Sequence, residues 1–114
     1  MKLAFTSQGM TWESMMDPRF GRTACILMYD DAEDTLTGYD NSAIRNEVHG
    51  AGPRTAQKIF DLQPEVLITG NGPGENAAAV LKKMNLRIYT GAGDMSVQEA
   101  LYAYQNGTLK EQEL

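Results

Sequence analysis

The sequence predicts an α/β fold in which a five-stranded mixed β-sheet is flanked by three helices. Five short segments have the length and the apolar, β-branched or aromatic content of strands. Three longer segments in the second half place apolar residues at helical spacing. Glycine-containing turns join the last two strands to the helices that follow them, which is typical of crossovers between parallel strands.

The first half of the chain predicts three strands with no helix between them. Lys2–Ser7 forms the first strand, and the continuous apolar run Ala24–Tyr29 is typical of a central strand covered on both faces. Thr35–Asp40 alternates as a paired third strand. The long loop 8–22 is unusually rich in large apolar residues, whereas the acidic segment 30–34 is predicted to be a short, solvated turn.

Helices and strands alternate from the middle of the chain onwards. Residues 41–54 form a second long loop in this prediction, and a helix starts near Pro53, because proline suits the first turn of a helix. That helix ends before Pro64. Glu65–Thr69 is the fourth strand, and the glycine-rich turn Gly70–Gly74 leads into the second helix.

The last part of the chain carries the clearest helix signals. Arg87–Thr90 is the fifth strand. Ser96 and Glu99 match the S-x-x-E capping box, in which the serine caps a free backbone N–H group and the glutamate reaches back. The third helix stops at Asn106-Gly107. Residues 110–114 are expected to form a polar, frayed tail.

The predicted order β-β-β-α-β-α-β-α favours a ribonuclease H-like arrangement, since the flavodoxin-like alternative requires a helix between the first two strands. Right-handed crossovers make strands one, three, four and five run in the same direction. The loops at their carboxyl ends, residues 8–22, 41–54, 70–74 and 91–95, then meet at one edge of the sheet, where open α/β sheets bind ligands. Cys25, near the start of the reversed second strand, is expected close to that edge.

Composition narrows the classes of function. The 114 residues fit one domain, residues 1–114, and 42% hydrophobic residues supply enough apolar surface for a core. No apolar run reaches the roughly 20 residues of a membrane helix, and none resembles a secretory signal. We therefore expect a cytoplasmic protein without membrane partners. The net charge of −5 disfavours nucleic acid as a partner. A single cysteine excludes an internal disulfide and a Cys-rich metal site.

Four segments carry a resemblance to a known family. They are Asp17-Pro18-Arg19-Phe20-Gly21-Arg22, His49-Gly50-Ala51-Gly52-Pro53-Arg54, the segment 70–77 and the segment 96–107. Because it carries these four segments in this order, the chain resembles the dinitrogenase iron–molybdenum cofactor biosynthesis family over nearly its whole length. The resemblance implies a ribonuclease H-like fold. It also implies a small protein or domain that binds or carries the iron–molybdenum cofactor or its iron–sulfur precursor.

An anionic metal–sulfur cluster brings its own sulfides, so it needs few protein ligands. Under the resemblance, His49 and Cys25, the only histidine and the only cysteine, are the candidate metal ligands. The alternatives are a loop histidine bonded to a neighbouring carbonyl and a cysteine that acts as a small buried hydrophobe. Met10, Met15 and Met16 are further soft donors near the same edge, although methionines more often fill gaps in a core.

Cationic and glycine-containing segments complete the predicted site. Three arginines in the long loops either form a basic patch or pair with the carboxylates of Asp17, Asp40 and Glu47. The turn Gly70–Gly74 presents free N–H groups to an anion, unless its glycines only permit a tight turn. It matches neither the dinucleotide fingerprint nor a Walker loop. The predicted cofactor-binding residues are Arg19, Arg22, His49, Gly50, Gly52, Arg54, Gly70, Asn71, Gly72 and Gly74.

The favoured function is a binding or carrier protein for a metal–sulfur cluster, with no catalytic residues. Its partners would be the cluster and the proteins that donate and accept it, and a homodimer would supply a second set of ligands. The alternative is a regulatory module that binds a nucleotide or phosphate at the glycine-rich turn. A metal-dependent nuclease is less favoured, because the first strand, Lys2–Ser7, contains no carboxylate.

Overall fold

A computed structural model describes all 114 residues. The elements in chain order are β1 (Lys2–Ser7), β2 (Cys25–Asp30), β3 (Thr35–Asp40), α1 (Ser42–Arg45), α2 (Ala51–Leu62), β4 (Val66–Ile68), α3 (Glu75–Leu81), β5 (Arg87–Thr90), α4 (Val97–Gln105) and β6 (Lys110–Gln112). None of the helices is both long enough and apolar enough to span a membrane.

The strands form one mixed sheet in the order β3-β2-β1-β4-β5-β6. β2 is antiparallel to both β1 and β3, whereas β4 is parallel to β1 and β5 is parallel to β4. β1, β3, β4 and β5 therefore run in the same direction, which confirms the directions predicted from right-handed crossovers. Their carboxyl ends lie at one edge of the sheet.

The prediction of five strands is wrong, because the tail forms a sixth strand. β6 pairs antiparallel with β5, with Gln112 opposite Ile88. The carboxylate of Glu111 accepts a hydrogen bond from Arg87 at 3.1 Å, and Leu109 packs against the core. A short edge strand exposed on both faces shows no apolar alternation, so its residues looked like a solvated tail.

The prediction of three helices is also wrong, because the segment predicted as a loop contains the short helix α1 and the first residues of α2. The carboxylate of Asp40 accepts the backbone N–H of Ser42 and starts α1, which buries no residue and so lacks an apolar stripe. α2 begins at Ala51, two residues before Pro53. The capping box of α4 is formed by Ser96 and Glu99 as predicted.

Two apolar clusters cover the two faces of the sheet. On one face, α2 and α3 pack on the strands through Ala4, Phe20, Ile26, Met28, Ala56, Ile59, Leu67, Ala77, Leu81, Leu86 and Ile88. On the other face, α4 and part of the first loop pack through Leu3, Phe5, Met16, Leu27, Val66, Ile68, Ala92, Val97, Ala100 and Leu101. Each large side chain buried in this way stabilises the fold by about 1.5–3 kcal/mol relative to exposure.

The apolar residues of the first loop hold it onto both clusters. Phe20 is buried against the α2 face, and Met16 is buried against the α4 face. Trp12 packs edge-on against Phe5 and Tyr29, with ring centroids 6.1 and 4.9 Å away. The loop is therefore a fixed part of the structure, and it places its polar residues at the carboxyl edge of the sheet.

Candidate functional site

Four loops meet at the carboxyl edge of the parallel strands, as predicted. We call this edge the rim; it comprises residues 8–24, 41–50, 69–74 and 91–96. The backbone N–H of Asn71 donates to Pro18 O at 2.8 Å, and that of Met16 donates to Met95 O at 2.8 Å. The hydroxyl of Thr55, at the start of α2, donates to Gly21 O at 2.7 Å.

Two glycines allow the rim loops to touch at backbone distance. A Cβ atom on Gly21 would lie 2.8 Å from Gly52 Cα, and one on Gly70 would lie 2.7 Å from Pro18 Cα. A larger residue at either position would force the loops apart. Gly21 and Gly70 are therefore needed for packing whether or not they contact a ligand.

A layer of buried polar side chains lies beneath the rim. The hydroxyls of Thr6 and Thr69 are hydrogen-bonded at 2.6 Å and so link β1 to the end of β4. The amide of Asn41 donates to Thr23 O and to the Thr55 hydroxyl, each at 3.1 Å. Asn41 Oδ1 is the one buried side-chain polar atom without a partner. These bonds satisfy groups that would otherwise destabilise the end of the sheet.

A surface cleft between the first loop and the start of α2 gathers half of the predicted binding residues. We call it the His49 cleft; its volume is about 480 Å³. It is lined by Arg19, Gly21, Arg22, Val48, His49, Gly50, Ala51, Gly52, Pro53 and Asn76. Gly50 precedes the first turn of α2, a 12-residue helix, whose first N–H groups have no partner within the helix. The cleft thus combines two guanidinium groups, one imidazole and the positive end of a helix dipole.

Arg19 is fixed by a buried carboxylate. Asp17 is 1% exposed and accepts hydrogen bonds from the backbone N–H groups of Arg19 and Ala24, each at 3.1 Å. It also accepts the Nε–H of Arg19 at 3.3 Å. About half of the Arg19 side chain remains exposed, so its outer N–H groups are open to an anion in the cleft.

The other two arginines contact the segment that carries His49. Arg22 Nη1 donates to the carbonyl oxygens of Arg45 and Glu47, at 2.7 and 2.9 Å, and Nη2 lies 3.5 Å from Val48 O. Arg54 forms an ion pair with the carboxylate of Glu47. Arg54 does not line the His49 cleft and lies instead on the outer surface of α2.

The predicted glycine-rich turn faces a different groove. Gly70, Asn71 and Gly72 line a polar groove of about 550 Å³ together with residues of β5 and of the segment 110–113. The side-chain amide of Gln112 lies directly over Gly72 and donates to Pro73 O at 3.2 Å. Gly74 lines neither the groove nor the His49 cleft. The structure therefore divides the predicted binding residues between two surfaces.

Cys25 lies beside the rim but does not line the His49 cleft. It is buried in β2, opposite Ser7 and Asp40. Burial, followed by the carboxylates of Asp40 and Asp17, raises the pKa of the Cys25 thiol above its ordinary value. The thiol is therefore protonated at neutral pH, a form that binds metals poorly.

The methionines of the first loop also lie outside the cleft. Met16 is buried in the core, whereas Met10 and Met15 are each 44% exposed. No three side chains of His, Cys, Asp or Glu are arranged to hold a metal ion. The chemistry of the His49 cleft therefore suits an anionic species that retains most of its own ligands.

The predicted binding residues lack five of the ten residues that line the cleft, among them Gly21, Ala51 and Pro53. Asn76, in the first turn of α3, and Val48, which is 80% exposed, both line it. A valine next to the only histidine, and a polar residue two positions after the glycine-rich turn, were the available signals. Neither signal indicates which loops will meet, because that depends on contacts between distant segments.

The comparisons with known proteins agree with this architecture. The family model for dinitrogenase iron-molybdenum cofactor matches residues 1–107. The apo form of the orange protein from Desulfovibrio gigas has a TM-score of 0.89 at 28% identity, over 97% of this chain and 92% of that chain. A candidate NifB protein from Thermotoga, of the DUF35 family, has a TM-score of 0.81 at 32% identity, over 96% and 91%. No curated protein matches the sequence.

Proposed function

Because the chain belongs to the dinitrogenase iron-molybdenum cofactor family, we propose that it binds and carries a metal–sulfur cluster as cargo. The cargo is the iron–molybdenum cofactor or a related or precursor cluster, in cofactor biosynthesis or transfer. The role is non-catalytic. Donor and acceptor proteins reach the cargo from outside, since the His49 cleft opens at the surface.

The observation that carries the proposal is the composition of the His49 cleft. The imidazole of His49 is exposed and is the one soft ligand in the lining, so it is the residue proposed to bind an exposed metal atom. Arg19 and the first N–H groups of α2 would balance the negative charge of the cluster. A single protein ligand gives a weak hold, which suits a carrier that must release its cargo.

The strand order supports the finer fold assignment. The first five strands follow the order β3-β2-β1-β4-β5 with β2 reversed. We assign this arrangement to the ribonuclease H-like class, to which β6 adds an edge strand.

The regulatory alternative has weaker support. A nucleotide or phosphate module would use the N–H groups of the turn Gly70–Gly74, but the Gln112 side chain covers Gly72. That groove contains one cationic side chain, Lys110, and two carboxylates, those of Glu111 and Glu113.

The proposal is tested by cargo binding under anaerobic conditions. Isolated iron–molybdenum cofactor is mixed with the protein, free cofactor is removed by gel filtration, and bound iron, molybdenum and visible absorbance are measured. We expect the wild-type chain to retain cofactor and His49→Ala to lose at least about tenfold in affinity. Cys25→Ser should bind within about twofold of the wild type, because the buried thiol lies outside the cleft.

Two outcomes would contradict the proposal. If His49→Ala binds the cofactor as tightly as the wild type, the cleft is not the binding site. If the wild-type chain retains no cofactor but binds a nucleotide, the regulatory function replaces the carrier function.

A further inference from the structure

We propose that Arg22 is a positioning residue that holds the His49 loop, residues 46–50, and does not contact the cargo. This inference rests on the proposed function, because it assigns a role within the same cleft. It reverses the prediction that Arg22 binds the cofactor directly.

The contacts of Arg22 are directed at the backbone of the neighbouring segment. One terminal nitrogen, Nη1, donates to two carbonyl oxygens, at 2.7 Å for Arg45 and 2.9 Å for Glu47. The other terminal nitrogen faces Val48 O at 3.5 Å. A guanidinium group is planar and keeps its N–H groups in a fixed fork, so it can hold several carbonyls in one arrangement.

Glu47 also donates its backbone N–H to Ile44 O at 3.0 Å, but the two residues after it have few attachments. Val48 and His49 take part in no backbone–backbone hydrogen bond, and Val48 is 80% exposed. The second side-chain link to this loop is the ion pair of Arg54 with Glu47, which is exposed and therefore weak. Without Arg22, the position of the His49 imidazole would depend on a flexible loop.

The segment that carries Arg22 is held in place by buried neighbours. Phe20, two residues before Arg22, is buried in the core cluster on the α2 face. Thr23, the next residue, is fully buried, and its hydroxyl contacts Ser7 O at 3.2 Å and Cys25 O at 2.8 Å. Arg22 thus connects an exposed loop to a segment that is anchored in the core.

This arrangement separates the two arginines of the cleft by role. The outer N–H groups of Arg19 remain open, whereas those of Arg22 are directed at carbonyl oxygens. A lysine can replace a contact that needs only positive charge, but it cannot reproduce a fork that spans several carbonyls. Arg22→Lys should therefore weaken cargo binding although it keeps the charge.

The experiment compares Arg22→Lys and Arg22→Gln with the matched control Arg87→Lys, using isolated iron–molybdenum cofactor as the probe. Arg87 lies outside the His49 cleft, and its side chain forms an exposed ion pair with Glu111. We expect both Arg22 variants to lose about 10- to 100-fold in affinity, as is usual when a residue that orients a metal ligand is removed. Arg87→Lys should bind the cofactor within about twofold of the wild type, since it keeps the charge and lies outside the cleft. An Arg22→Lys variant with wild-type affinity would show that charge alone is required, and would overturn the positioning role.

A second readout follows the loop without cargo. Backbone ¹⁵N relaxation should give Val48 and His49 order parameters near 0.85 in the wild type and in Arg87→Lys, and below about 0.6 in both Arg22 variants. Unchanged order in the Arg22 variants would overturn the inference. Failure of the carrier function alone would appear differently, as wild-type protein that binds no cofactor while the loop still loses order in the Arg22 variants.

The wild-type protein provides a measurement that does not depend on the folding of any variant. The terminal N–H protons of Arg22 should exchange slowly with water in the free protein, because carbonyl oxygens accept them. The terminal N–H protons of Arg19 should exchange fast. Equally fast exchange at both arginines would refute the positioning role of Arg22.

Discussion

The fold gives the only histidine and the only cysteine of the chain different environments. His49 is exposed in a cleft with two arginines, where its imidazole can reach a ligand. Cys25 is buried in β2, and the pKa of its thiol is raised by burial and by the carboxylates of Asp40 and Asp17. Both residues lie near the same rim, yet only one is available for chemistry at the surface.

The raised pKa of Cys25 predicts a loss of stability at high pH. The unfolded chain releases the thiol proton at its ordinary pKa, whereas the folded chain retains it to higher pH. The contribution of the protonated thiol to the free energy of unfolding is therefore fully present below the ordinary thiol pKa. It is lost as the pH rises through the folded-state pKa. We expect the free energy of unfolding of the wild type to fall as the pH rises above the ordinary thiol pKa of about 8.5, measured by urea denaturation.

The matched control for this prediction is Cys25→Ala. The amino terminus and Tyr29 also have raised pKa values, from hydrogen bonds to Asp31 and Asp34, but both proteins share them. The difference between the two proteins therefore isolates the thiol. Parallel pH profiles for the wild type and Cys25→Ala would count against the assignment.

At the scale of elements, the first loop and the start of α2 are packed through two glycines. Gly21 and Gly52 touch at backbone distance, but their Cβ directions differ. A Cβ on Gly21 meets Gly52 Cα at 2.8 Å, whereas a Cβ on Gly52 meets only the Ala77 side chain, at 3.8 Å. The same close contact is therefore intolerant of a methyl group on one side and tolerant on the other.

We expect Gly21→Ala to destabilise the protein and Gly52→Ala not to. Gly21→Ala forces two backbones apart and should destabilise the protein by about 1–3 kcal/mol. Gly52→Ala makes an ordinary contact and reduces the entropy of the unfolded chain, so it should be neutral or stabilising by up to about 1 kcal/mol. Urea denaturation of both variants measures the difference, and equal destabilisation would disprove the packing described for the rim.

The whole molecule is a sheet covered on both faces, with one edge extended beyond the residues that the family model matches. That match ends at residue 107, and β6 follows it. β6 covers the edge of β5 and places Gln112 over the glycine-rich turn. An uncovered strand edge presents unpaired N–H and C=O groups and promotes association.

Deletion of residues 108–114 should leave a folded protein with an exposed β5 edge. The loss of the β6 pairing and of Leu109 packing should lower the free energy of unfolding by about 1–3 kcal/mol. Sedimentation velocity should show concentration-dependent association of the deletion variant. The control is Glu111→Gln, which removes only an exposed ion pair with Arg87 and should cost under about 1 kcal/mol. A deletion variant that is monomeric and as stable as this control would contradict the role of β6.

Much of the architecture follows from local patterns. β1, β3 and β5 have the predicted bounds, and the capping box of α4 begins at the predicted residue, because strand runs and caps depend on neighbouring residues. The meeting of four loops at one edge was also predictable, since hairpins join antiparallel strands and helical crossovers join parallel ones. The sequence by itself therefore determined an α/β sheet that carries its long, polar and glycine-containing loops at one edge.

Only the tertiary structure decided which rim residues line one cleft. β6 is polar and α1 buries nothing, so neither has a periodic pattern that could reveal it. The turn Gly70–Gly74 faces a separate groove, where the Gln112 side chain covers Gly72. Arg54 lies on the outer surface of α2. The glycines of the turn and the positive charge of Arg54 had nevertheless predicted a binding role. Arg22 is directed at carbonyl oxygens 23 to 26 residues away along the chain. Such contacts join segments that are distant in sequence, and residue type and spacing do not encode their geometry.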